Sequence, residues 1–238
     1  MKQFYVLIGN FGSGKTEISL NLAMNTAQTG KSVLVDLDIV NPYFRSAERK
    51  VELEQAKVKL LYPVFALSAV DVPSLPPDIY SVFVDNSDTV IFDVGGDPAG
   101  ATALGQYKAN FGAIREDALE VLYVVNARRP LSSTSDAVLD MINRISFRSR
   151  LAITGLVNNT NLSYETSSDD ILAGYELLKE VSEKTGIPVA YTSGTAAPLR
   201  EFLMLAEEKG LNKRYIGKPM ELNIYMRRDW DRFTQYGI

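Results

Sequence analysis

Residues Gly9-Asn10-Phe11-Gly12-Ser13-Gly14-Lys15-Thr16 have the spacing G-x-x-x-x-G-K-[ST]. In such a loop glycines let consecutive backbone N–H groups turn inward around phosphate oxygens, the lysine reaches the outer phosphates and the hydroxyl ligates Mg²⁺. Phe11, Gly12, Ser13, Gly14, Lys15 and Thr16 are therefore candidate phosphate contacts, with Lys15 as the catalytic cation and Thr16 as a metal ligand. The loop follows the apolar run Phe4–Ile8 and precedes a segment of helical period, so a helix N-terminus would add its positive dipole to the same anion. The bland alternative is a chance match in a glycine-containing turn.

Carboxylates complete the set. Val33-Leu34-Val35-Asp36-Leu37-Asp38 and Val90-Ile91-Phe92-Asp93-Val94-Gly95-Gly96 each carry an apolar strand into acidic residues, at the ends where a parallel sheet presents its ligand crevice. The chain has 238 residues and contains neither Cys nor His. That excludes thiolate zinc or iron–sulfur sites, disulfides, a cysteine nucleophile and a histidine base. Catalysis is left to carboxylates, Lys, hydroxyls, backbone amides or a hard cation such as Mg²⁺. Asp36 has a second reading as a strand-end carboxylate satisfied by nearby amides.

Elements of α/β type must position these groups. Short apolar runs at Phe4–Ile8, Ser32–Asp36, Thr89–Asp93, Val121–Asn126, Ala152–Val157 and Val189–Tyr191 alternate with helical periods, which predicts a mostly parallel β-sheet with helices on both faces, a three-layer α/β/α arrangement. Leu20, Ala23, Met24 and Ala27 mark one helix, and Val138, Met141, Ile142 and Ile145 another. A third runs from Asp169 to Lys184, with Gly174, Leu177, Leu178 and Val181 inward, Gly186 just past its end and Pro188 beyond. Between Glu48 and Asp88 the pattern is less regular: Pro73, Pro76 and Pro77 mark a loop before a short helix at Asp78–Phe83, and the stretch reads as an insertion within one domain spanning 1–238. With Lys+Arg 25 and Asp+Glu 29 the net charge is −4, so non-specific nucleic-acid binding is disfavoured. Phe4–Ile8 is too short for a secretory leader, and no run is long enough to cross a bilayer, so the expected location is cytoplasmic.

The phosphate loop, VLVDLD and VIFDVGG, in this order, resemble the ParA/MinD/ArsA group of dimeric P-loop ATPases of the SIMIBI class, including CooC-like maturation ATPases. The resemblance implies a P-loop NTPase fold, ATP and Mg²⁺ as ligands, and a nucleotide-dependent homodimer serving a protein client. It makes Asp38 the switch I aspartate that positions or activates the attacking water and a candidate metal ligand, and Asp93 the Walker B aspartate that holds Mg²⁺ through water. Gly95-Gly96-Asp97-Pro98-Ala99-Gly100 then looks like switch II, with the Gly96 backbone as a γ-phosphate contact; its alternative is a turn leading to a helix near Ala101–Tyr107. Asn41-Pro42-Tyr43-Phe44-Arg45 would fall in switch I, facing a partner or packing on the domain. Asn158-Asn159-Thr160-Asn161 stands where relatives read the base. Asn158 is the candidate contact, and Asn161 in place of an aspartate favours adenine over guanine.

Departures from the group matter as much. Asn10 occupies the position of the second lysine that reaches across the dimer in ParA-like relatives. Arg128 and Arg129 are candidates to replace it in trans, or else a solvated loop pair. Without cysteines the chain cannot carry the interfacial cluster or metal of some relatives. Arg227, Arg228, Trp230, Arg232 and Phe233 mix basic and aromatic residues, but Asp229 and Asp231 interrupt them; docking on the domain is the preferred reading over membrane targeting. The leading expectation is an ATP-hydrolysing molecular switch. A dethiobiotin-synthetase-like ligase or kinase and a nucleotide-binding adaptor with little hydrolysis are the alternatives.

Overall fold

Strands that are apolar on both faces need cover on both faces, and the chain folds accordingly. A computed structural model describes residues 1–38, 49–62, 78–96 and 98–226. The run Asn41-Pro42-Tyr43-Phe44-Arg45, the prolines Pro73, Pro76 and Pro77, residue Asp97 and the segment from Arg227 to Phe233 lie outside the described residues.

The strands are β1 (Gln3–Ile8), β2 (Ser32–Leu37), β3 (Lys59–Leu61), β4 (Thr89–Val94), β5 (Leu119–Val125), β6 (Gly155–Asn158), β7 (Val189–Gly194) and β8 (Lys218–Glu221). They form one sheet in the order β3-β2-β4-β1-β5-β6-β7-β8, and every pair is parallel. All strand C-termini therefore emerge on one edge. β1 lies between β4 and β5, which places the loop after Ile8 directly beside the end of β4, where Leu7 is in register with Asp93.

The helices are α1 (Lys15–Thr26), α2 (Lys50–Gln55), α3 (Asp78–Ser81), α4 (Pro98–Gly105), α5 (Lys108–Gly112), α6 (Ser135–Ser149), α7 (Ser168–Thr185) and α8 (Ala196–Glu208). Ile18, Leu20 and Ala23 of α1 pack with Leu53 of α2 onto Leu7, Leu34 and Ile91 on one face. On the other, Leu104, Tyr107, Phe111, Val138, Ile142 and Leu178 cover Val6, Phe92 and Tyr123. A smaller cluster joins α7 to α8 through Ile171, Tyr175, Leu199 and Phe202. The expected layered α/β/α arrangement is present.

Several boundaries differ from expectation. The strand expected from Ala152 begins at Gly155, because Thr154 is spent on the crossover: its amide donates to Val121 O (2.9 Å), and its hydroxyl oxygen accepts from Val121 N (2.8 Å). β7 continues past Tyr191 to Gly194, and its last residues pair with β8. The third expected helix is longer by a residue at each end, since Ser167 accepts from Asp170 N and Asp170 reaches back to Ser167 N in a capping box.

Two long-range ties close the structure. Asn21 of α1 bonds both backbone groups of Asn223, donating to its carbonyl (2.9 Å) and accepting from its amide (2.8 Å). One turn earlier, the Glu17 carboxylate accepts from the amides of Tyr225 (2.5 Å) and Met226 (3.1 Å). Residues 223–226 are thus stapled along the helix that follows the glycine loop.

At the opposite edge, Lys2 Nζ bonds Asp85 Oδ1 at 2.6 Å, and the Ser87 hydroxyl and amide also donate to that oxygen. Partial burial raises the Asp85 pKa, but Ser87 and the Lys2 ammonium outweigh it and hold the carboxyl at about 2, below its ordinary 3.8. A depressed folded-state value stabilises the protein above the unfolded value, and the gain disappears as pH falls through the folded one. Asp85→Asn is expected to destabilise by about 1–2 kcal/mol at neutral pH, after discounting for partial exposure. The difference should shrink between pH 4 and pH 2, the window set by those two values. Paired denaturant titrations check this; a gap independent of pH would refute it.

Candidate nucleotide-binding site

The glycine loop passes from β1 into α1 without a side-chain cap. Gly14 occupies the cap position at φ 91°, ψ 21°, and has no side chain to accept from the first helical amides. Those amides are the positive end of the helix dipole and are left for an anion. Lys15 is 7% exposed and folds back onto its own loop, donating to Gly9 O and Asn10 O at 3.0 Å each.

Asp93, at the end of β4, is buried, and its Oδ1 has no hydrogen-bond partner among the described residues. Burial pushes its pKa up, while the neighbouring Thr16 hydroxyl and Lys15 ammonium draw it down and Asp38 pushes it up again. Asp36 is in register with Asp93 on the adjacent strand. Its Oδ1 accepts the Asp38 amide at 2.9 Å, so of its two readings the structure shows the strand-end carboxylate that shapes the turn. Asp38 follows, close to Gly95: a side-chain carbon added at Gly95 would stand 3.1 Å from Asp38 Oδ1. Gly96 is pressed against the glycine loop, where an added carbon would stand 2.6 Å from Phe11 N. The structure thus gathers Phe11, Gly12, Ser13, Gly14, Lys15, Thr16, Asp38, Asp93 and Gly96 at one strand edge.

This donor set fits Mg²⁺. The cation keeps several waters and takes one or two carboxylates together with substrate phosphates, and here a serviceable hydroxyl, a buried carboxylate oxygen with no partner and a second carboxylate adjoin. Among the described residues no cluster of three or more His, Cys, Asp or Glu could hold a metal on protein groups alone.

Asn158 is not brought to this group. Its Nδ2 donates to Ile171 O at 2.9 Å and its Oδ1 accepts Thr160 N at 3.2 Å, which turns the amide under α7. Its neighbour Asn159, which sequence reasoning passed over, is the residue at the loop: Nδ2 donates to Ser13 O at 2.8 Å, and Oδ1 accepts from the Ser193 hydroxyl at 2.9 Å. Asn161 is likewise engaged locally, donating to Asn159 O and accepting Ser163 N.

Asn10 is 1% exposed and faces inward, its Nδ2 donating to Leu131 O at 2.8 Å. It therefore points into its own chain. Arg128 and Arg129, candidates to act in trans or else a solvated loop pair, are both exposed and each reaches a partner within its own chain. Arg128 Nε pairs with Asp170 at 2.7 Å, and Arg129 Nε donates to Gly12 O at 3.1 Å.

Beyond the loop, a cavity of about 420 Å³ opens at the same edge, between residues following β6 (Ser163, Tyr164, Thr166) and the start of α8 (Thr195, Pro198, Glu201). β6 and β7 are two and three places from β1, so the cavity lies on the same edge of the sheet as the glycine loop.

No protein-family model matches the chain, and no curated protein does. Solved structures do. Chloroplast FtsY from Physcomitrella patens superposes with a TM-score of 0.54 at 18% identity, over 81% of this chain and 58% of that one. FtsY from Mycoplasma mycoides gives 0.52 at 20% over 81% and 60%, and cell division protein FtsY from Thermotoga maritima 0.50 at 17% over 81% and 62%. The chain shares their fold, a parallel α/β sheet of the P-loop NTPase type. The chain matches only about six-tenths of the length of these neighbours. Among the described residues of this P-loop fold, no helix is long and apolar enough to cross a membrane.

Proposed function

We propose that the chain binds a purine nucleoside triphosphate with Mg²⁺ and works as a nucleotide-dependent switch that hydrolyses the terminal phosphate. One observation carries the reading: at the uncapped start of α1 the buried Lys15 stands in one cluster with Thr16 and with Asp93, whose buried Oδ1 has no hydrogen-bond partner among the described residues. A phosphate would accept the loop amides and the Lys15 ammonium. Thr16, Asp93 and Asp38 would hold the cation, directly or through water. Bound Mg²⁺ would neutralise charge on the outer phosphates. Asp38 would orient the attacking water, in a chain without histidine. Gly96, lying against Phe11, would register whether the outer phosphate is present and pass its loss to the segment leading into α4.

For the base we read adenine, because Asn161 offers no carboxylate to guanine and is engaged in its own loop. A second reading has support in the cavity wall, where Glu201 could accept from guanine N1–H and N2–H₂. Competition of unlabelled ATP and GTP for a fluorescent nucleotide separates them: displacement by ATP at lower concentration supports adenine, and the reverse order assigns the base to Glu201. If neither competes, the proposed function is wrong. Within the SIMIBI class we read a ParA/MinD-like member without the cross-dimer lysine. Its self-association should grow with a non-hydrolysable triphosphate over the diphosphate in size-exclusion chromatography.

A further inference from the structure

The loop after β5 is pinned to the chain at several points. Ala127 N donates to Thr160 Oγ1 (3.1 Å), Arg128 N to Asn126 Oδ1 (3.0 Å) and Arg129 N to Asn126 O (3.0 Å), while Ser132 Oγ closes on Asn126 O (2.8 Å) and Asn10 holds Leu131 O. On this fixed backbone the two arginines diverge. Arg128 is committed to Asp170, at the cap of α7. Arg129 remains exposed and lays its guanidinium over the glycine loop, donating Nε–H to Gly12 O at 3.1 Å; among the described residues this is its one hydrogen-bond partner. Gly12 has no side chain to keep it off: an added carbon there would stand 3.3 Å from Arg129 Nε.

Arg129, exposed, and Lys15, buried beside Asp93, both touch the glycine loop. Each cation rests on carbonyl oxygens of the glycine loop, Lys15 on Gly9 and Asn10 and Arg129 on Gly12. A neutral carbonyl is the weaker partner, since hydrogen bonds between two ionised groups are roughly twice as strong. A phosphate chain entering the loop competes for both cations. Arginine is suited to the exchange, because its fork holds two phosphate oxygens at once.

We propose that Arg129 is a cis-acting catalytic cation: it leaves Gly12 O and contacts the transferring phosphoryl group of a nucleotide held in its own chain. The proposal rests on the nucleotide reading above. In the step it serves, a water oxygen bonds to the terminal phosphorus as the bond from that phosphorus to the bridging oxygen breaks. The electron pair departs on the diphosphate, and the proton released by water ends on inorganic phosphate or solvent. Charge rises on the bridging and outer oxygens in the transition state, where a guanidinium can stabilise it. Asn10 makes the cis route coherent: the residue at the position of the cross-dimer lysine instead fastens the loop that carries Arg129.

The test uses wild type, Arg129→Ala, Arg129→Lys and Lys15→Ala, with ATP and GTP as probes. Di- and triphosphate affinities are measured apart from turnover, and circular dichroism confirms folding, which an exposed side chain should not disturb. Arg129→Ala should lower turnover about a thousandfold while diphosphate affinity stays within about twofold, with Arg129→Lys between. Mixing Arg129→Ala with Lys15→Ala decides cis against trans: the mixture should stay inactive. Restored turnover on mixing, or an Arg129→Ala rate close to wild type, overturns the proposal. If wild type binds without turning over, Arg129→Ala must reduce the preference for triphosphate over diphosphate, and an unchanged preference overturns it. If wild type binds neither nucleotide, the functional reading itself fails and takes this one with it.

Discussion

Lys15→Ala is expected to eliminate measurable triphosphate binding. The ammonium is the one buried cation at the uncapped start of α1, and it is already inside the loop, 3.0 Å from two carbonyl oxygens. A bound phosphate would take over those donors as charge-assisted bonds worth about 1.5–3 kcal/mol each. Losing two of them costs about 3 kcal/mol or more, which is over a hundredfold in affinity. The ligand-free protein should respond as well, because Gly9 O and Asn10 O lose their Nζ partner, with a stability loss on the order of 1–2 kcal/mol. Isothermal titration with the preferred nucleotide and a denaturant titration of the ligand-free protein read the two effects separately. Wild-type affinity in the variant would remove Lys15 from the site.

Gly14→Ala should be nearly as damaging by a different route. The residue sits at φ 91°, and a methyl group there would land on the amide nitrogen of Asn159, which at present donates to Ser13 O at 2.8 Å. The substitution combines left-handed backbone strain of roughly 1–3 kcal/mol with the loss of a buried hydrogen bond worth about 1 kcal/mol or more. A stability loss of about 2–4 kcal/mol together with loss of binding is expected. Gly186→Ala provides the comparison: φ is 75° there, but nothing lies within 4 Å of the added carbon. It should show the strain alone, with nucleotide affinity intact. Equal losses from the two substitutions would mean that the Asn159 contact contributes nothing.

Much of this site could be read from the amino acids. Gly9 to Thr16, Asp38 and Asp93 were recognisable because each is a residue type with a narrow chemical use, at the end of an apolar run long enough to be a strand. The sheet was legible at its centre, where β4 is buried along its whole length. It was not legible at its edges. β3 has three residues with an exposed lysine, and β8 is Lys-Pro-Met-Glu with no buried position, so neither carries the apolar pattern that marks a strand. Asn158 and Asn159 show a different limit. Adjacent residues leaving a strand point to opposite sides, and one position decides whether an amide serves α7 or the glycine loop. The pairing of Arg128 with Asp170 spans 42 residues, and no local pattern announces it.

The staple on α1 bears on how the protein is made. The partners of Asn21 and Glu17 lie 202 to 209 residues further along the chain. During synthesis the glycine loop and its helix leave the ribosome well before residues 223–226, so Asn21 and Glu17 reach these partners only when that later segment has emerged. The helix that follows the glycine loop is therefore translated about 200 residues before the segment that ties it down.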